Sequence, residues 1–510
     1  MLPDFAPSLP TYSQRAGSPH AMTDRDFQAV GSSLIVQTPN VILADDMGLG
    51  KSKEFLDAVR HVARKSPRPG VAVLVVCKAT NVETWLDEIK KFDPEGLGLA
   101  FYGTAKARQR ARAQFAEMAA TQVCYLVTSY ETMRIEIAAL AAMTFDWVAL
   151  DEAHKVKSSP MNGAQSLVAS AIHRLQGRRK VVITGTLFIN SAADSWNVCR
   201  WLGVEQRTWP QFAEETLILR EVELSPWRKV LKVRGHKPSG LVKLTAQLAP
   251  VLIRRKKHDV LDLPPKVYQT VRVRLNADEE RRYRAAEQDY WLWRQTQEDG
   301  AVISNEMLIP LRLKQITTCL DSFLAPGTKT TSSKIAAARS LVEDAVSSGL
   351  KVGVFTQFHA VVRQLARELA EFNPAIITDA VSAIGTNSKP SLRQQEVTRF
   401  QRDGACKVLI GTTGTCREGL TLTAGSLVIH LDKDWSPAYT TQIEDRFQRI
   451  GQTNPVQVVS LEAVITPDTA HPRGETVDSW IMAAQRGRRK VITRLLDTEE
   501  APAPCSHTIF

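Results

Sequence analysis

A glycine-rich stretch between an apolar run and an amphipathic segment constrains this chain more than any other feature. Residues 44–52 read A-D-D-M-G-L-G-K-S, follow the apolar run 41–43 and precede a helical pattern whose apolar face starts at Phe55. This order predicts a strand, a loop and a helix, and the backbone N–H groups at such a helix start bind phosphate. We expect Lys51 to contact the β- and γ-phosphates of a nucleoside triphosphate and Ser52 to hold Mg²⁺. An ordinary strand-to-helix turn is the alternative.

Two carboxylates follow a second apolar run. Residues 147–150 read as a buried strand, and Asp151 and Glu152 stand at its end. The carboxyl end of a parallel strand is where open α/β sheets place their chemistry. We expect Asp151 to hold Mg²⁺ through water, and Glu152 to orient or deprotonate the water that attacks the γ-phosphate. Two solvated carboxylates at a strand end are the alternative, and the phosphate loop upstream favours the catalytic interpretation.

Length and charge narrow the class of protein. At roughly 150 residues per domain, 510 residues predict two to four domains. Lys and Arg number 65 against 54 Asp and Glu, which gives a formal net charge of +11. Such an excess favours a polyanionic partner such as nucleic acid, although many soluble proteins are basic.

The cysteines and the apolar runs bear on the cellular setting. The seven cysteines are scattered and form no C-x-x-C pair, a pattern typical of free thiols in a reducing cytosol rather than of zinc sites. No apolar run approaches the roughly 18 residues that span a bilayer. The N-terminus lacks the basic and apolar regions of a signal peptide. We therefore predict a cytoplasmic protein with no membrane partner.

Apolar strands and helical patterns alternate in two parts of the chain, which predicts α/β units with parallel sheets. The expected strands are 41–44, 71–76, 123–127, 147–150 and 181–183 in the first unit, and residues near 351–355, 407–410, 427–431 and 456–460 in the second. Residues 201–330 are charged and mostly helical by pattern. The predicted division is a flexible lead (1–22), a first unit (23–265, with a helical insertion at about 201–260), a helical linker (266–330), a second unit (331–495) and a flexible tail (496–510).

A polar and basic helix is expected in the second unit, within residues 442–452. At helical spacing its two faces differ, with Ile443, Phe447 and Ile450 on one and Gln442, Arg446 and Arg449 on the other. We expect the apolar face to pack on the sheet and the arginines to point outward. Arginines presented from a second domain can neutralise transition-state charge on the γ-phosphate of a bound nucleotide. A solvated amphipathic helix is the alternative.

Several motifs together resemble one family. The phosphate loop is similar to A-D-E-M-G-L-G-K-T, which also carries aspartate at the position of Asp45, and residues 442–452 match Q-x-x-D-R-x-x-R-I-G-Q. Residues 253–266 read I-R-R-K-K-H-D-V-L-D-L-P-P-K, very close to a signature between the lobes of the same family. From about 24 to 495 the chain is identified as a member of the SWI/SNF-type DNA-dependent ATPases of helicase superfamily 2. The resemblance implies an α/β fold of two tandem RecA-like domains with helical insertions between them.

The resemblance also assigns roles to individual residues. It implies that Gln28 reads the adenine edge of ATP and that the phosphates are bound by Asp46, Met47, Gly48, Leu49, Gly50, Lys51 and Ser52. The implied catalytic residues are Lys51, Asp151, Glu152, Arg446 and Arg449, and the implied Mg²⁺ ligands are Ser52 and Asp151. The implied coupling residues, between the ATP and nucleic-acid sites, are Thr184, Gly185, Thr186 and Gln442. The implied DNA contacts are Thr128, Ser129, Tyr130, Thr356, Gln357, Thr423 and Trp435.

Two motifs depart from the family pattern. After Thr186 the family usually has proline and, two residues further on, glutamine, where this chain has Leu187 and Ile189. Residues 414–418 lack the usual small run Ala-Gly-Gly, although Gly419 is kept. The resemblance therefore implies an intact ATP site with altered coupling segments.

The motifs together predict an ATP-driven translocase on double-stranded DNA, which uses ATP and Mg²⁺ and remodels protein–DNA complexes or branched DNA. Its contacts with phosphates would carry little sequence specificity, and a protein partner would supply targeting. The lack of a further recognisable module predicts a minimal motor, from a bacterium or a phage-infected cell. A strand-separating DNA or RNA helicase and a catalytically silent DNA-binding scaffold are the alternatives.

Overall fold

The structure is a computed structural model, and it describes residues 26–157, 166–185, 187–188, 191–225, 228–297, 308–320, 332–381, 391–417 and 420–496. In chain order, the strands of these residues are β1 (Asn40–Leu43), β2 (Val71–Cys77), β3 (Leu97–Phe101), β4 (Val123–Ser129), β5 (Phe145–Asp151), β6 (Gly177–Ile183), β7 (Leu217–Ser225), β8 (Arg228–His236), β9 (Leu252–Ile253), β10 (Lys266–Arg274), β11 (Val352–Thr356), β12 (Ala375–Ile377), β13 (Val408–Thr412), β14 (Leu427–His430) and β15 (Val456–Val464).

The helices of the same residues are α1 (Asp26–Gln37), α2 (Lys51–Lys65), α3 (Val82–Phe92), α4 (Ala105–Met118), α5 (Tyr130–Ile135), α6 (Ile137–Ala141), α7 (Leu167–Ala171), α8 (Ala193–Leu202), α9 (Trp209–Thr216), α10 (Pro238–Leu248), α11 (Lys257–Val260), α12 (Ala277–Gln297), α13 (Leu308–Cys319), α14 (Ser333–Ser347), α15 (His359–Glu368), α16 (Leu392–Arg402), α17 (Thr413–Cys416), α18 (Pro437–Phe447) and α19 (Val477–Leu496). None of these described helices combines the length and the apolar character needed to cross a bilayer. The predicted lead 1–22 and nearly all of the predicted tail 496–510 lie outside the described residues.

The first unit is built on a seven-stranded parallel sheet in the order β3-β4-β2-β5-β6-β1-β9. β2 is apolar along its length, as expected for a strand covered on both faces. Alternate residues of β2 enter different cores, with Leu74 in one and Val75 in the other. Leu43 of β1 and Asp151 of β5 both pair with Ile183 of β6. The loops that follow β1 and β5 therefore leave the same edge of the sheet.

The second unit is built on a six-stranded parallel sheet in the order β10-β15-β14-β11-β13-β12. β11 lies inside it, with Val354 in the core of one face and Phe355 in the core of the other. Ile443 and Phe447 of α18 belong to the same core as Phe355. The rings of Phe355 and Phe447 meet edge to face with centroids 5.9 Å apart. This packing fixes α18 against the sheet.

The predicted α/β class and its nine strands are confirmed, but the expectation of a helical region at 201–330 is wrong in two places. β7 and β8 form an antiparallel hairpin within the predicted insertion. β10 pairs along its whole length with β15, so residues 266–274 belong to the second sheet and not to a helical linker. Strands at an edge or in a ribbon face water on one side, and their Lys and Arg residues break up the apolar run. The other strands that the pattern missed are β3, β9 and β12.

Candidate active site

The phosphate loop has the conformation that its glycines permit. α2 begins at Lys51, and before it Gly48 and Gly50 have φ values of 89° and 82°, in the left-handed region that glycine adopts freely. The Lys51 ammonium donates to the carbonyl oxygens of Asp45, at 2.7 Å, and Asp46, at 3.1 Å. Burial lowers the pKa of Lys51. A buried ammonium beside a helix N-terminus suits an anionic ligand.

Gln28 lies directly against this loop. Its side-chain Nε2 is buried and donates to the carbonyl oxygen of Leu49 at 3.0 Å. A Cβ added to Gly50 would lie 2.3 Å from the same Nε2 atom, so a side chain there would displace the Gln28 amide. The predicted adenine-reading residue therefore lies beside the predicted phosphate site, and its role towards adenine stays a prediction.

Asp151 is held from two sides at the end of β5. The indole Nε1 of Trp85 donates to its carboxylate at 2.9 Å, and the Tyr130 hydroxyl donates to its backbone oxygen at 2.8 Å. Burial and the neighbouring Glu152 carboxylate raise the pKa of Asp151 to about 7. A divalent cation beside Asp151 would stabilise its ionised carboxylate against burial and the charge of Glu152. Carboxylate and hydroxyl oxygens such as those of Asp151 and Ser52 are ligands that Mg²⁺ accepts. The residues present fit a Mg²⁺ ion.

Glu152 has a different environment from its neighbour. Burial opposes its ionisation, but His154, Lys78 and Lys51 lower the pKa of Glu152 to about 2. His154 Nδ1 lies 3.1 Å from a Glu152 carboxylate oxygen. The backbone of Glu152 is left-handed, with a φ of 51°, which costs a residue with a Cβ roughly 1–2 kcal/mol. Such strain is concentrated at functional sites, and an ionised carboxylate is the form that a general base requires.

The second unit brings Arg449 to the phosphate loop. A Cβ added to Gly48 would lie 3.3 Å from Arg449 Cγ. Arg449 Nη1 donates to the Thr421 hydroxyl at 3.1 Å. Burial and the nearby Arg446 lower the pKa of Arg449 to about 9. A half-buried guanidinium next to another cation would be stabilised by a further anion.

The expected two faces of the helix at 442–452 are confirmed only for Ile443 and Phe447, which pack on the sheet. Gln442 and Arg446 are only 2% and 6% exposed, and Ile450, expected to be buried, is 53% exposed. α18 ends at Phe447, so helical spacing does not extend to Ile450. Arg446 donates to the carbonyl oxygen of Arg417, at 3.0 Å from Nε. It therefore packs against its own unit, whereas Arg449 borders the phosphate loop.

α3 contributes two residues that the sequence reasoning missed. Besides Trp85, which donates to Asp151, Glu88 lies near enough to Ser52 and Arg449 for both to influence the pKa of its carboxyl. Burial raises the pKa of Glu88, and Ser52 and Arg449 act against this shift. Residues three apart on a helix share a face. Their spacing, on the helix that follows the carboxyl end of β2, was the available signal.

The predicted coupling residues are partly described. Thr184 is buried, and a Cβ added to Gly185 would lie 2.7 Å from Met47 Cγ, so this segment packs on the phosphate loop. Thr186 lies outside the described residues, as do Ile189 and residues 418–419. Gln442, in contrast, lies in the second unit, on α18. The coupling role of these residues stays a prediction.

Four predicted DNA contacts face the interior. The hydroxyl of Thr128 donates to the Phe101 carbonyl oxygen at 2.9 Å, and that of Thr356 donates to the Asp432 carboxylate at 2.5 Å. Ser129 caps α5, and the Tyr130 hydroxyl is bound to Asp151, as above. Their side chains are buried. The side-chain donors of Thr128, Ser129, Tyr130 and Thr356 are therefore engaged inside their own units, and contact of these residues with DNA stays a prediction.

The other three predicted DNA contacts are nearer the surface. Trp435 is 38% exposed. Gln357 Nε2 donates to an Asp434 carboxylate oxygen at 2.8 Å, and the Thr423 hydroxyl accepts from Gln401 Nε2 at 3.2 Å. Both Gln357 and Thr423 are half-buried. Contact with DNA by these three residues stays a prediction.

A buried ionic cluster explains the unusual Asp45 of the phosphate loop. The backbone N–H and the Nε of Arg255 donate to its two carboxylate oxygens at 2.7 and 3.0 Å. Arg255 also donates to Glu54 of α2 at 2.5 Å. The signature segment 253–266 therefore lies directly against the phosphate loop at Arg255.

Comparison with known proteins identifies the family. The chain matches the SNF2-related domain over residues 21–321 and the helicase conserved C-terminal domain over residues 333–451. It belongs to the SNF2-related family. The predicted SWI/SNF-type membership and the two tandem RecA-like units are thereby confirmed.

Individual relatives are distant and longer. The chain is 25% identical to an uncharacterized ATP-dependent helicase, MG018, of Mycoplasma genitalium, over 89% of this chain and 40% of that protein. It is 25% identical to the TATA-binding protein-associated factor mot1 of Schizosaccharomyces pombe, over 90% of this chain and 25% of that one. It is 23% identical to the ISWI chromatin-remodeling complex ATPase CHR11 of Arabidopsis thaliana, over 85% and 40%. The chain thus spans between 25% and 40% of the length of these relatives.

Among solved structures, the SWI2/SNF2 ATPase core of Sulfolobus solfataricus in complex with double-stranded DNA is 22% identical to this chain, with a TM-score of 0.41. The match covers 93% of this chain and 97% of that one.

Proposed function

We propose that this protein hydrolyses ATP and couples hydrolysis to movement along double-stranded DNA. The observation that carries the proposal is the place of Arg449, from the second unit, against Gly48 in the phosphate loop of the first. A site built from two units is complete only when they are together. Hydrolysis at such a site depends on the separation of the units, which is the requirement for a motor that grips DNA with each unit in turn.

Each residue of the site has a proposed role. The phosphate loop and Lys51 bind the triphosphate, and Gln28 contacts the adenine. Glu152, ionised by its cationic surroundings, orients or deprotonates the attacking water. Arg449 neutralises the charge that develops on the γ-phosphate. Mg²⁺, held by Ser52 and Asp151, would neutralise phosphate charge when bound.

A basic surface with an exposed tryptophan supports nucleic acid as the partner. The side chains of Arg486 and Arg489 are exposed. Their positive charges add to the effect of burial in lowering the pKa of Lys433. Arg488 Nη1 donates to the carbonyl oxygen of the exposed Trp435 at 2.6 Å. Cations with an aromatic ring form the usual surface for a phosphate backbone. The relatives named as a TATA-binding protein-associated factor and a chromatin-remodeling ATPase favour remodelling of protein–DNA complexes, with a protein partner supplying targeting.

The cysteines agree with the proposed cytoplasmic setting. The six cysteines among the described residues are buried and form no disulfide. Free thiols are typical of a reducing compartment.

The deciding experiment is the steady-state ATPase rate without nucleic acid and with duplex DNA, single-stranded DNA or RNA, at low and moderate salt. Lys51→Ala provides the blank, because it removes the ammonium that contacts the phosphates. We expect strong stimulation by duplex DNA, followed by ATP-dependent displacement of a triplex-forming strand. Stimulation only by single strands or RNA would replace the translocase with a helicase, and no activity with any of them would contradict ATP-driven movement.

A further inference from the structure

Lys257 is the last residue of a basic run that connects the phosphate loop to the second unit. Its backbone N–H donates to the Asp46 carboxylate at 3.0 Å, in the phosphate loop. It is the first residue of α11, a single short turn that follows β9 of the first sheet. The backbone of Lys257 is therefore fixed to the first unit.

The side chain of Lys257 is fixed to the second unit. Its ammonium donates to the Asp445 carboxylate at 2.8 Å and to the carbonyl oxygen of Gln448 at 2.9 Å. The residue is only 7% exposed, so water does not compete strongly for these bonds. Gln448 directly precedes Arg449, so the bond to its carbonyl restrains the backbone that carries this arginine.

The same lysine lies beside the arginine over the phosphate loop. A Cβ added to Gly48 would be 3.6 Å from Lys257 Cε and 3.3 Å from Arg449 Cγ. Two cationic side chains thus cross one glycine of the loop. Without a bound anion, the positive charges of Lys257 and Arg449 repel each other. Asp445 beside Lys257 offsets only part of their combined charge.

Asp445 has a second cationic partner from its own unit. Lys266 of β10 donates to the same carboxylate oxygen at 2.8 Å. Burial opposes ionisation of Asp445, but Lys266 and Lys257 lower its pKa below the ordinary value. Loss of Lys257 therefore leaves the buried carboxylate paired, and the fold of the second unit does not depend on this one ammonium.

From these contacts we propose that Lys257 is a positioning residue, which holds Arg449 over the phosphate loop by bonding to Gln448 and Asp445. The inference rests on the proposed ATPase function and extends it to a residue that does not touch the reacting atoms. A displacement of about 1 Å at a catalytic group can cost roughly a hundredfold in rate. A bond between the units that ends one residue before the arginine limits such displacement.

The test is a double-mutant cycle on the full chain, with Lys257→Met, Arg449→Ala and the double variant. Lys257→Met keeps the aliphatic stem and removes the ammonium. With duplex DNA present, we expect kcat to fall at least about tenfold in Lys257→Met, with a KM for ATP within a few-fold of wild type. In the Arg449→Ala background the same substitution should change kcat less than twofold, since a positioning residue has no effect once its target is gone.

Two further variants serve as controls, and a melting curve shows whether each variant is folded. Lys257→Arg retains a cation and donors, and should recover most of the lost rate even if Lys257→Met folds poorly. His258→Ala changes an exposed neighbour of the same segment and should leave kcat unchanged. Multiplicative losses in the double variant, or an unchanged kcat in a folded Lys257→Met protein, would overturn the inference while leaving the ATPase intact. A wild-type protein without DNA-stimulated hydrolysis would instead overturn the proposed function, and the inference with it.

Discussion

At the scale of single residues, the two carboxylates that end β5 are separated by their surroundings. His154, Lys78 and Lys51 surround Glu152 and lower its pKa to about 2, against the effect of burial. Burial and the Glu152 carboxylate raise the pKa of Asp151 to about 7. Neighbouring titratable groups with pKa values pushed apart are typical of acid–base sites. This separation leaves Glu152 ionised and makes Asp151 the carboxylate that a nearby cation would stabilise most, which agrees with the roles proposed for the two residues.

Glu152→Gln tests this assignment. The amide keeps the shape of the side chain but cannot accept a proton, so turnover should fall by roughly 10²–10⁴-fold while ATP still binds. The measurements are the DNA-stimulated ATPase rate and the affinity for a fluorescent ATP analogue. Lys51→Ala is the contrasting control, since it should lose nucleotide binding. Turnover at the wild-type rate by the purified Glu152→Gln protein would remove Glu152 from its role.

Trp85 offers a second test, because its indole orients Asp151. In Trp85→Phe the hydrogen bond is lost, but the edge-to-face contact with Phe55, with centroids 6.2 Å apart, can persist. A hydrogen bond to a charged group contributes about 1.5–3 kcal/mol, so we expect kcat to fall by roughly ten- to a hundredfold. Trp147→Phe is the matched control, because Trp147 also packs on Phe55, at 5.9 Å. Equal losses in both variants would assign the effect to packing.

At the scale of elements, the sequence predicts what is buried and misses what is half-exposed. β2, β5 and β11 are continuous apolar runs inside parallel sheets, and all three were expected. β10 has exposed Val267 and Tyr268 among its charged residues, since it lies at the sheet edge, and no periodic pattern marked it. The expected helical faces extended to Ile450, but α18 stops at Phe447, where the sequence has no helix breaker. The position of Ile450 was therefore predicted wrongly.

One buried ion pair joins α14 to α19 in the second unit, and its contribution to stability can be tested. Lys334 of α14 is fully buried and donates to Asp478 of α19 at 2.5 Å and to the Leu431 carbonyl oxygen at 2.8 Å. Removal of one partner of a buried pair costs about 3–5 kcal/mol. Lys334→Met should therefore lower the free energy of unfolding by that amount, as measured by urea denaturation, and Asp478→Asn added to it should recover part of the loss.

Arg339 provides the control on the same helix. It pairs with Glu343 and Glu371 at the surface, where solvent screening leaves an ion pair with little net effect on stability. Arg339→Met should therefore change the free energy of unfolding far less than Lys334→Met does. Similar losses of stability in Lys334→Met and Arg339→Met would show that burial of the Lys334–Asp478 pair adds nothing to the free energy of unfolding.

At the scale of the whole molecule, the sequence predicts the parts of the site but not how they meet. The phosphate loop, the acidic pair and Arg449 were recognisable because each sits in a local pattern. The contacts that join them link distant positions, such as Lys257 with Asp445, and no local pattern encodes a pairing between two sheets. The same limit applies to Arg255, because no local pattern indicates that its guanidinium pairs with the distant Asp45.

The net charge of +11 and the basic surface around Trp435 predict how the whole molecule holds DNA. Because contact with phosphates releases counterions, affinity for duplex DNA should fall roughly 10³–10⁵-fold between 50 and 200 mM salt if six to ten phosphates are contacted. Fluorescence anisotropy with two duplexes of unrelated sequence measures this, and the two should bind alike. Arg486→Ala and Arg489→Ala should each reduce the slope of log affinity against log salt by about 1. Affinity that is independent of salt would contradict binding through phosphates, and a slope unchanged in both variants would place the DNA on another surface.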